Sequence, residues 1–266
     1  MLEAERHRLI LKLVQERSIV SIADLVEIIG ASDATLRRDV NALAEGGQVR
    51  RIRGGVEALN PRHEPHLVGM PFAISREVAV AQKRAIARAA AELIKDGESI
   101  IITAGTTTLA LAEFIANRQL DILTNSLPVL AALHSHGGNR VSVPGGTVFR
   151  EQNIILSPFE DHTVESFWAS KLITGCYGIN QHGLMEADPL IVQAHTRMLR
   201  RAEEVIVLAD SRKLRQRSSI IVAPLKRVST LITDEEASAG DLEAVRQAGV
   251  RVIIAPSEPF EAQKTA

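Results

Sequence analysis

The 266 residues suffice for one large or two modest domains, and 45% apolar with 24% charged residues describe a globular chain with a core. A formal net charge of -1 excludes a global field that draws the molecule to nucleic acid or membrane. Only 3% of residues are aromatic, which excludes stacking on single-stranded bases as the main mode of recognition, and the single cysteine, Cys176, excludes an internal disulfide framework.

No stretch approaches the length of a membrane span, and residues 1–14, carrying Glu3, Glu5, Arg6, Arg8 and Lys12, contain no signal-peptide core. The chain is therefore expected to be cytoplasmic. Residues 3–16 read as an amphipathic helix with Leu9, Ile10, Leu13 and Val14 on one face. Ser21 can cap a second helix over 22–29, whose apolar face is Ile22, Leu25, Val26 and Ile29. Gly30, Ala31 and Ser32 make a tight turn. Ser32 or Asp33 then caps a third helix, on which Leu36, Val40 and Leu43 recur at three- and four-residue steps until Gly46 and Gly47 stop it.

Two short helices joined by a glycine-containing turn make a helix-turn-helix, whose second helix enters the major groove of double-stranded DNA through its N-terminal residues. Ser32, Thr35, Arg37 and Arg38 occupy that stretch, and at about 100° per residue at least one of the two arginines points away from the buried stripe. Residues 48–53 then alternate Val49 and Ile52 with Arg50, Arg51 and Arg53 and close at Gly54-Gly55, as a two-stranded wing would. Arginines there would lie along phosphates, giving affinity without base information. Bulk charge does not decide between DNA and a solvated face, because residues 1–59 hold nine positive and nine negative side chains. Placement favours DNA, since five of the nine positives fall between 37 and 53.

The stretch VSIADLVEIIGASDATLRRDVNALAEGGQVRRIRGGVEAL resembles the winged N-terminal domain of the DeoR family of bacterial sugar-metabolism repressors. It shares a Val-Ser before the second helix, a Ser-x-x-Thr-x-Arg-Arg-Asp recognition helix and, apart from Arg53, the family's Arg-x-His-Gly-Gly wing. Arg53 stands where the family usually has His and reads as one more phosphate contact. Asp39 matches the family's acidic residue and is expected to orient an arginine instead of touching DNA.

Residues 57–75 lose all periodicity around Asn60-Pro61, Glu64-Pro65 and Met70-Pro71, so 60–75 reads as a linker between a DNA-binding domain of 1–59 and a second domain of 76–255. An alanine-rich helix is expected over 76–95. Short apolar strands at 99–102, 121–123, 141–143, 172–174, 205–208, 230–232 and 250–255 then alternate with helices at 106–117, 126–134, 190–203 and 241–248. This pattern predicts an α/β domain with a parallel sheet covered on both faces, followed by a polar tail over 256–266.

Ligands of such sheets collect at the carboxyl ends of strands. The loop of Thr103, Gly105, Thr106, Thr107 and Thr108 offers hydroxyls and a helix N-terminus suited to phosphate, although the same residues serve a simple capped turn. Asn125 and Ser126, Gly145 and Gly146, and Asp210 with Lys213 follow three further strands. In this order Gly-Thr-Thr, Thr-Asn-Ser, Gly-Gly and Asp-Ser-x-Lys resemble the DeoR-family effector domain. The resemblance implies the fold of ribose-5-phosphate isomerase and a phosphorylated sugar effector. It further implies phosphate at Gly105, Thr106 and Thr107, Lys213 near the ligand, and Arg150, Gln193 and Arg197 as additional candidates.

Two departures from the family pattern, Thr103 for Asp and Arg212 in the third place of Asp-Ser-Ser-Lys, make the pocket less negative and point to an effector with extra acid character, such as a sugar-acid phosphate. A lysine among carboxylates on this fold could also isomerise a sugar phosphate, but the lost carboxylate at Thr103 and the fused DNA-binding region weigh against it. The pairs His63/His66 and His134/His136 each lack a nearby third ligand, so no metal or other cofactor is expected, and Cys176 reads as a small core residue. The sequence-level expectation is a repressor that acts as a homodimer or homotetramer on operator DNA, outside any membrane.

Overall fold

The computed structural model describes residues 1–17, 19–59, 70–159 and 162–256. They divide into two compact units between Val78 and Ala79. The first contains helices α1 (Glu3–Arg17), α2 (Ile22–Ile29) and α3 (Asp33–Glu45). Strands β1 (Ile19–Ser21), β2 (Arg50–Ile52) and β3 (Gly55–Glu57) form an antiparallel sheet in the order β1-β3-β2. Side chains set the helix ends. The Ser21 hydroxyl accepts from the Asp24 amide while the Asp24 carboxylate accepts from the Ser21 amide, and Gly30 ends α2 at φ 72°. Ser32, and not Asp33, caps α3 by accepting from the Thr35 amide.

Ile10, Leu13, Leu25, Leu36 and Val40 fill the core between the three helices. Gly55 lets β3 lie against β1, because a Cβ there would sit 2.4 Å from the Val20 carbonyl. Residues 70–75, expected as linker, are instead part of this unit. The short helix α4 (Phe72–Ser75) buries Ile74 completely in the same core, and Glu77 pairs with Arg8 and Lys12 of α1. A small three-helix core gains from any extra apolar side chain it can bury. The rest of the expected linker, with His63 and His66, and the tail from 257 lie outside the described residues.

The second unit begins with α5 (Val80–Ala91), shorter at both ends than the expected 76–95 and preceded by Ala79 in the left-handed region at φ 52°. In chain order there follow β4 (Ser99–Ile102), α6 (Thr106–Ile115), β5 (Asp121–Thr124), α7 (Leu127–His134), β6 (Arg140–Ser142), β7 (Thr147–Phe149), β8 (Ile154–Leu156) and α8 (His162–Ser166). Next come β9 (Ala169–Thr174), β10 (Gly178–Asn180), β11 (Gly183–Glu186), α9 (Pro189–Leu199), β12 (Ala202–Leu208), β13 (Ile220–Ala223), β14 (Thr230–Asp234), α10 (Ala239–Gln247) and β15 (Arg251–Ala255). Seven strands form one parallel sheet in the order β15-β14-β12-β9-β4-β5-β6. Its residues alternate between two apolar layers, Ile101, Leu172, Val205 and Leu231 in one and Ile100, Ile102, Ile173 and Ile206 in the other. Both faces are therefore covered, as near-continuous apolar strands require.

The chain runs outward from β4 through β5 to β6, then returns to β9 on the other side of β4. The crevice between β4 and β9 is thus the switch point at which open α/β sheets bind ligands. The β7–β8 hairpin and the antiparallel sheet β10-β11-β13 have no counterpart in the expected pattern. Their strands are three or four residues long, too short for alternation to stand out.

Candidate functional site

In the first unit the recognition helix and wing present five exposed arginines, and they differ in what they touch. Arg37 is paired with Asp33 one turn back, and Arg50 donates across the wing to Glu57 at 3.2 Å. Arg38, Arg51 and Arg53 make no ion pair or side-chain hydrogen bond among the described residues. Ser32 and Thr35 are engaged with one another, their hydroxyl oxygens 2.8 Å apart at the helix cap. Asp39 does orient an arginine, but one from α1. Arg6 donates to its two oxygens at 2.6 and 3.1 Å, and His7 lies 3.3 Å away. Burial alone would push the Asp39 carboxyl up; Arg6 and His7 more than offset this and hold it below its ordinary value. Asp39 thus fixes α3 against α1, and the helix carries its exposed face from there.

In the second unit the predicted loops do gather at the carboxyl edge of the sheet. At the switch point the Thr103 and Thr174 hydroxyls meet at 2.9 Å, and the Thr103 amide donates to the Ile173 carbonyl. The Asn125 side-chain oxygen accepts from the Ala104 amide at 2.9 Å, which aligns the loop so that α6 starts at Gly105 with Thr106 and Thr107 in its first turn. The Asn125 side-chain NH2 is buried without a partner. Thr108 turns inward and donates to the Thr103 and Gly105 carbonyls, while Ser126 spends its oxygen capping α7. Both therefore shape the loops.

Along the same edge, Asp210 at the end of β12 is held by two bonds from Arg212, at 2.8 and 3.1 Å. Burial pushes its carboxyl up, but Arg212, Lys213 and Lys83 outweigh burial and keep it lowered. Lys213 donates to Gln216 at 2.9 Å, and its ammonium lies 5.6 Å from the centre of the Tyr177 ring. The remaining candidates have other duties. A Cβ on Gly146 would stand 2.5 Å from the Leu156 carbonyl, so this glycine lets the chain pass β8. Gly145 is exposed beside it, and Arg150 is exposed in the turn between β7 and β8. Gln193 donates to the Pro158 carbonyl at 3.4 Å, and Arg197 donates to the carbonyls of Ser157, Pro158 and Phe159.

Three buried groups at this edge escaped the sequence reading. Lys83, on α5, is pushed down to about 7 by burial, which the Asp210 charge only partly opposes. Glu186, at the end of β11, is pushed up to about 7 by burial despite Lys213. His195, on α9, is driven down to about 4 by burial. Lys83 had a readable signal, since it falls on the buried stripe with Ile86, Ala87 and Ala90 where a lysine is out of place. Cys176 packs against the core, and burial pushes its thiol up, away from reactivity. Among the described residues no group of three or more His, Cys, Asp or Glu could hold a metal ion, and no helix is long and apolar enough to cross a membrane.

The DeoR-like helix-turn-helix domain matches residues 6–62, and the DeoR C terminal sensor domain matches residues 78–235. The chain belongs to the DeoR family. It is a helix-turn-helix transcriptional regulator that binds DNA and carries a sensor domain for a small-molecule effector. Relatives of this DeoR-family chain named HTH-type transcriptional regulator UlaR, from Shigella dysenteriae serotype 1 and from Shigella flexneri, are each 30% identical over 255 residues, which is 95% of this chain and 99% of theirs. Among solved structures, ribose 5-phosphate isomerase A from Methanocaldococcus jannaschii aligns over 49% of this chain and 52% of its own, at 16% identity and a TM-score of 0.36. The relatives named here by sequence are transcriptional regulators.

Proposed function

We propose that this regulator represses a carbohydrate-utilisation operon, and that a phosphorylated sugar or sugar acid bound at the carboxyl edge of the sensor sheet controls its hold on operator DNA. The observation that carries the sensor half is Asn125. Its oxygen sets the Gly105 loop, while its buried NH2 has no partner and so is a donor held ready for an anionic or hydroxylated ligand beside the α6 N-terminus. Arg212 and Lys213, with Lys83 when protonated, add positive charge along that edge, which suits a ligand with acid character beyond a single phosphate. Arg38 reads bases, and Arg51 and Arg53 hold phosphates.

A symmetric dimer or tetramer in the cytoplasm would place two recognition helices about 34 Å apart on repeated half-sites. The effector acts only through different affinities for the DNA-bound and free arrangements. The test is an anisotropy titration on the DNA upstream of the protein's own gene and neighbouring operons, repeated with sugar phosphates and sugar-acid phosphates. One compound should change specific binding. Lys213→Ala should keep operator affinity and lose that response; a variant that loses DNA binding outright would refute the separation of roles.

A further inference from the structure

His195 and Glu186 face one another near Lys213 and take no part in the contacts described above. The imidazole Nδ1 lies 3.8 Å from the Glu186 Oε1, too far for a hydrogen bond, and both side chains are almost fully enclosed. Neither imidazole nitrogen has a hydrogen-bond partner. The charged groups around the carboxyl are Lys213 and Asp188, with the backbone of Ala187 and Tyr177 bonding to it and the Cys176 thiol alongside.

The location is tied to the effector edge on two sides. Glu186 ends β11, in the small sheet that the chain builds immediately after β9, and Thr174 at the end of β9 meets Thr103 across the switch point. His195 lies on α9, whose Arg197 holds the segment after β8. β8 in turn bonds to the Asn125 carbonyl and pairs with Ser126. The helix therefore spans from the Asn125 loop to Glu186.

We propose that Glu186 and His195 form a buried polar subsite that takes hydroxyl groups of the effector, on the reading of this edge given under Proposed function. The chemistry follows from the partners. A neutral imidazole offers one donor and one acceptor, and a hydroxyl both donates and accepts, so it satisfies either nitrogen. Lys213 disfavours a cation there, while Glu186 and Asp188 disfavour an anion. Phosphate at the Gly105 loop and hydroxyls at Glu186 and His195 together define a polyhydroxylated phosphate ester.

The test is calorimetric titration of the full chain with four probes: inorganic phosphate, ribose 5-phosphate, glucose 6-phosphate and 6-phosphogluconate. His195→Phe should weaken the sugar probes that bind by about 10–100-fold, the worth of two hydrogen bonds, and leave inorganic phosphate unchanged. His195→Gln, which keeps a donor and an acceptor, should recover part of the loss. If His195→Phe does not fold, as its thermal midpoint will tell, Glu186→Gln and His195→Gln decide, because both should alter sugar binding and spare phosphate. Sugar binding that no variant changes overturns the subsite while leaving the effector reading intact. Equal loss of phosphate and sugar also overturns it. If no probe binds the parent protein, the subsite and the effector reading fall together.

Discussion

Among the described residues of the DNA-binding unit, Arg38, Arg51 and Arg53 stand in solvent, paired with nothing, and the one buried acid, Asp39, is used to lock helices together. In the sensor unit the distinctive polar groups are inside: Lys83, Glu186, His195 and Asp210 are all buried at the carboxyl edge, and the pKa of each is moved from its ordinary value. The contrast follows from what each unit binds. A duplex is a long polyanion held by releasing counterions, so solvated, permanently charged side chains serve it best. A small ligand must be stripped of water, so its recognition depends on enclosed groups whose charge the protein itself sets.

The largest effect should come from separating the two cores. Leu36→Ala, in the first unit, should cost about 2–5 kcal/mol there and abolish DNA binding while the sensor unit still binds its effector by calorimetry. Concerted loss of both would break the comparison.

Next is the buried acid. Glu186 is raised from 4.5 to about 7 in the fold, so between those values the folded chain holds a proton that the unfolded chain has released. Stability is therefore lost as pH rises through that window, and the loss is complete above about 7. Glu186→Gln should be more stable than the parent at pH 8, on the order of 2–3 kcal/mol, with the difference gone below pH 4.5. His195, lowered from 6.5 to about 4, works in the opposite sense, costing stability as pH falls through that range. Thermal midpoints of parent and variant across pH 4 to 8 measure both.

The exposed cations should show smaller, salt-sensitive effects. Arg38→Ala should lower specific operator affinity roughly 10–100-fold with little change on random DNA. Arg51→Ala should weaken specific and random DNA alike and reduce the salt slope by about 1. Competition titrations at several salt concentrations would sharpen the distinction, and a base-selective loss at Arg51 would contradict it.

Helices α1, α2 and α3 of the first unit were legible because their signals are local. Ser21, Gly30, Ser32 and the glycines at 46 and 47 mark the ends, and the apolar steps mark the buried face. The parallel sheet was legible for a similar reason, in short β-branched runs separated by helical stretches. The helix expected at 190–203 overran, since α9 ends at Leu199 and Ala202 already belongs to β12. Nothing in the local pattern distinguishes the two states across Arg200 and Arg201. The sheet β10-β11-β13 was missed although residues 180–183 close a hairpin at Gly183, and with it went Glu186.

The candidate site divides in the same way. The loops at Gly105, Asn125 and Asp210 could be placed because each follows a strand. The roles of Thr108, Ser126, Gly146 and Arg197 could not, since their partners lie on other elements or turn back into the loop itself.

By itself the sequence determined the helix-turn-helix, the seven strands of the parallel sheet and the family, because capping residues and apolar periodicity act over a few neighbouring positions. Only the tertiary structure decided which arginines remain unpaired, that Asp39 serves Arg6, and that Lys83, Glu186 and His195 come together with Asp210 and Lys213. Burial and charge are set by residues brought from distant parts of the chain, and desolvation, which drives Lys83 and His195 down and Glu186 up, exists only once the chain has packed around them.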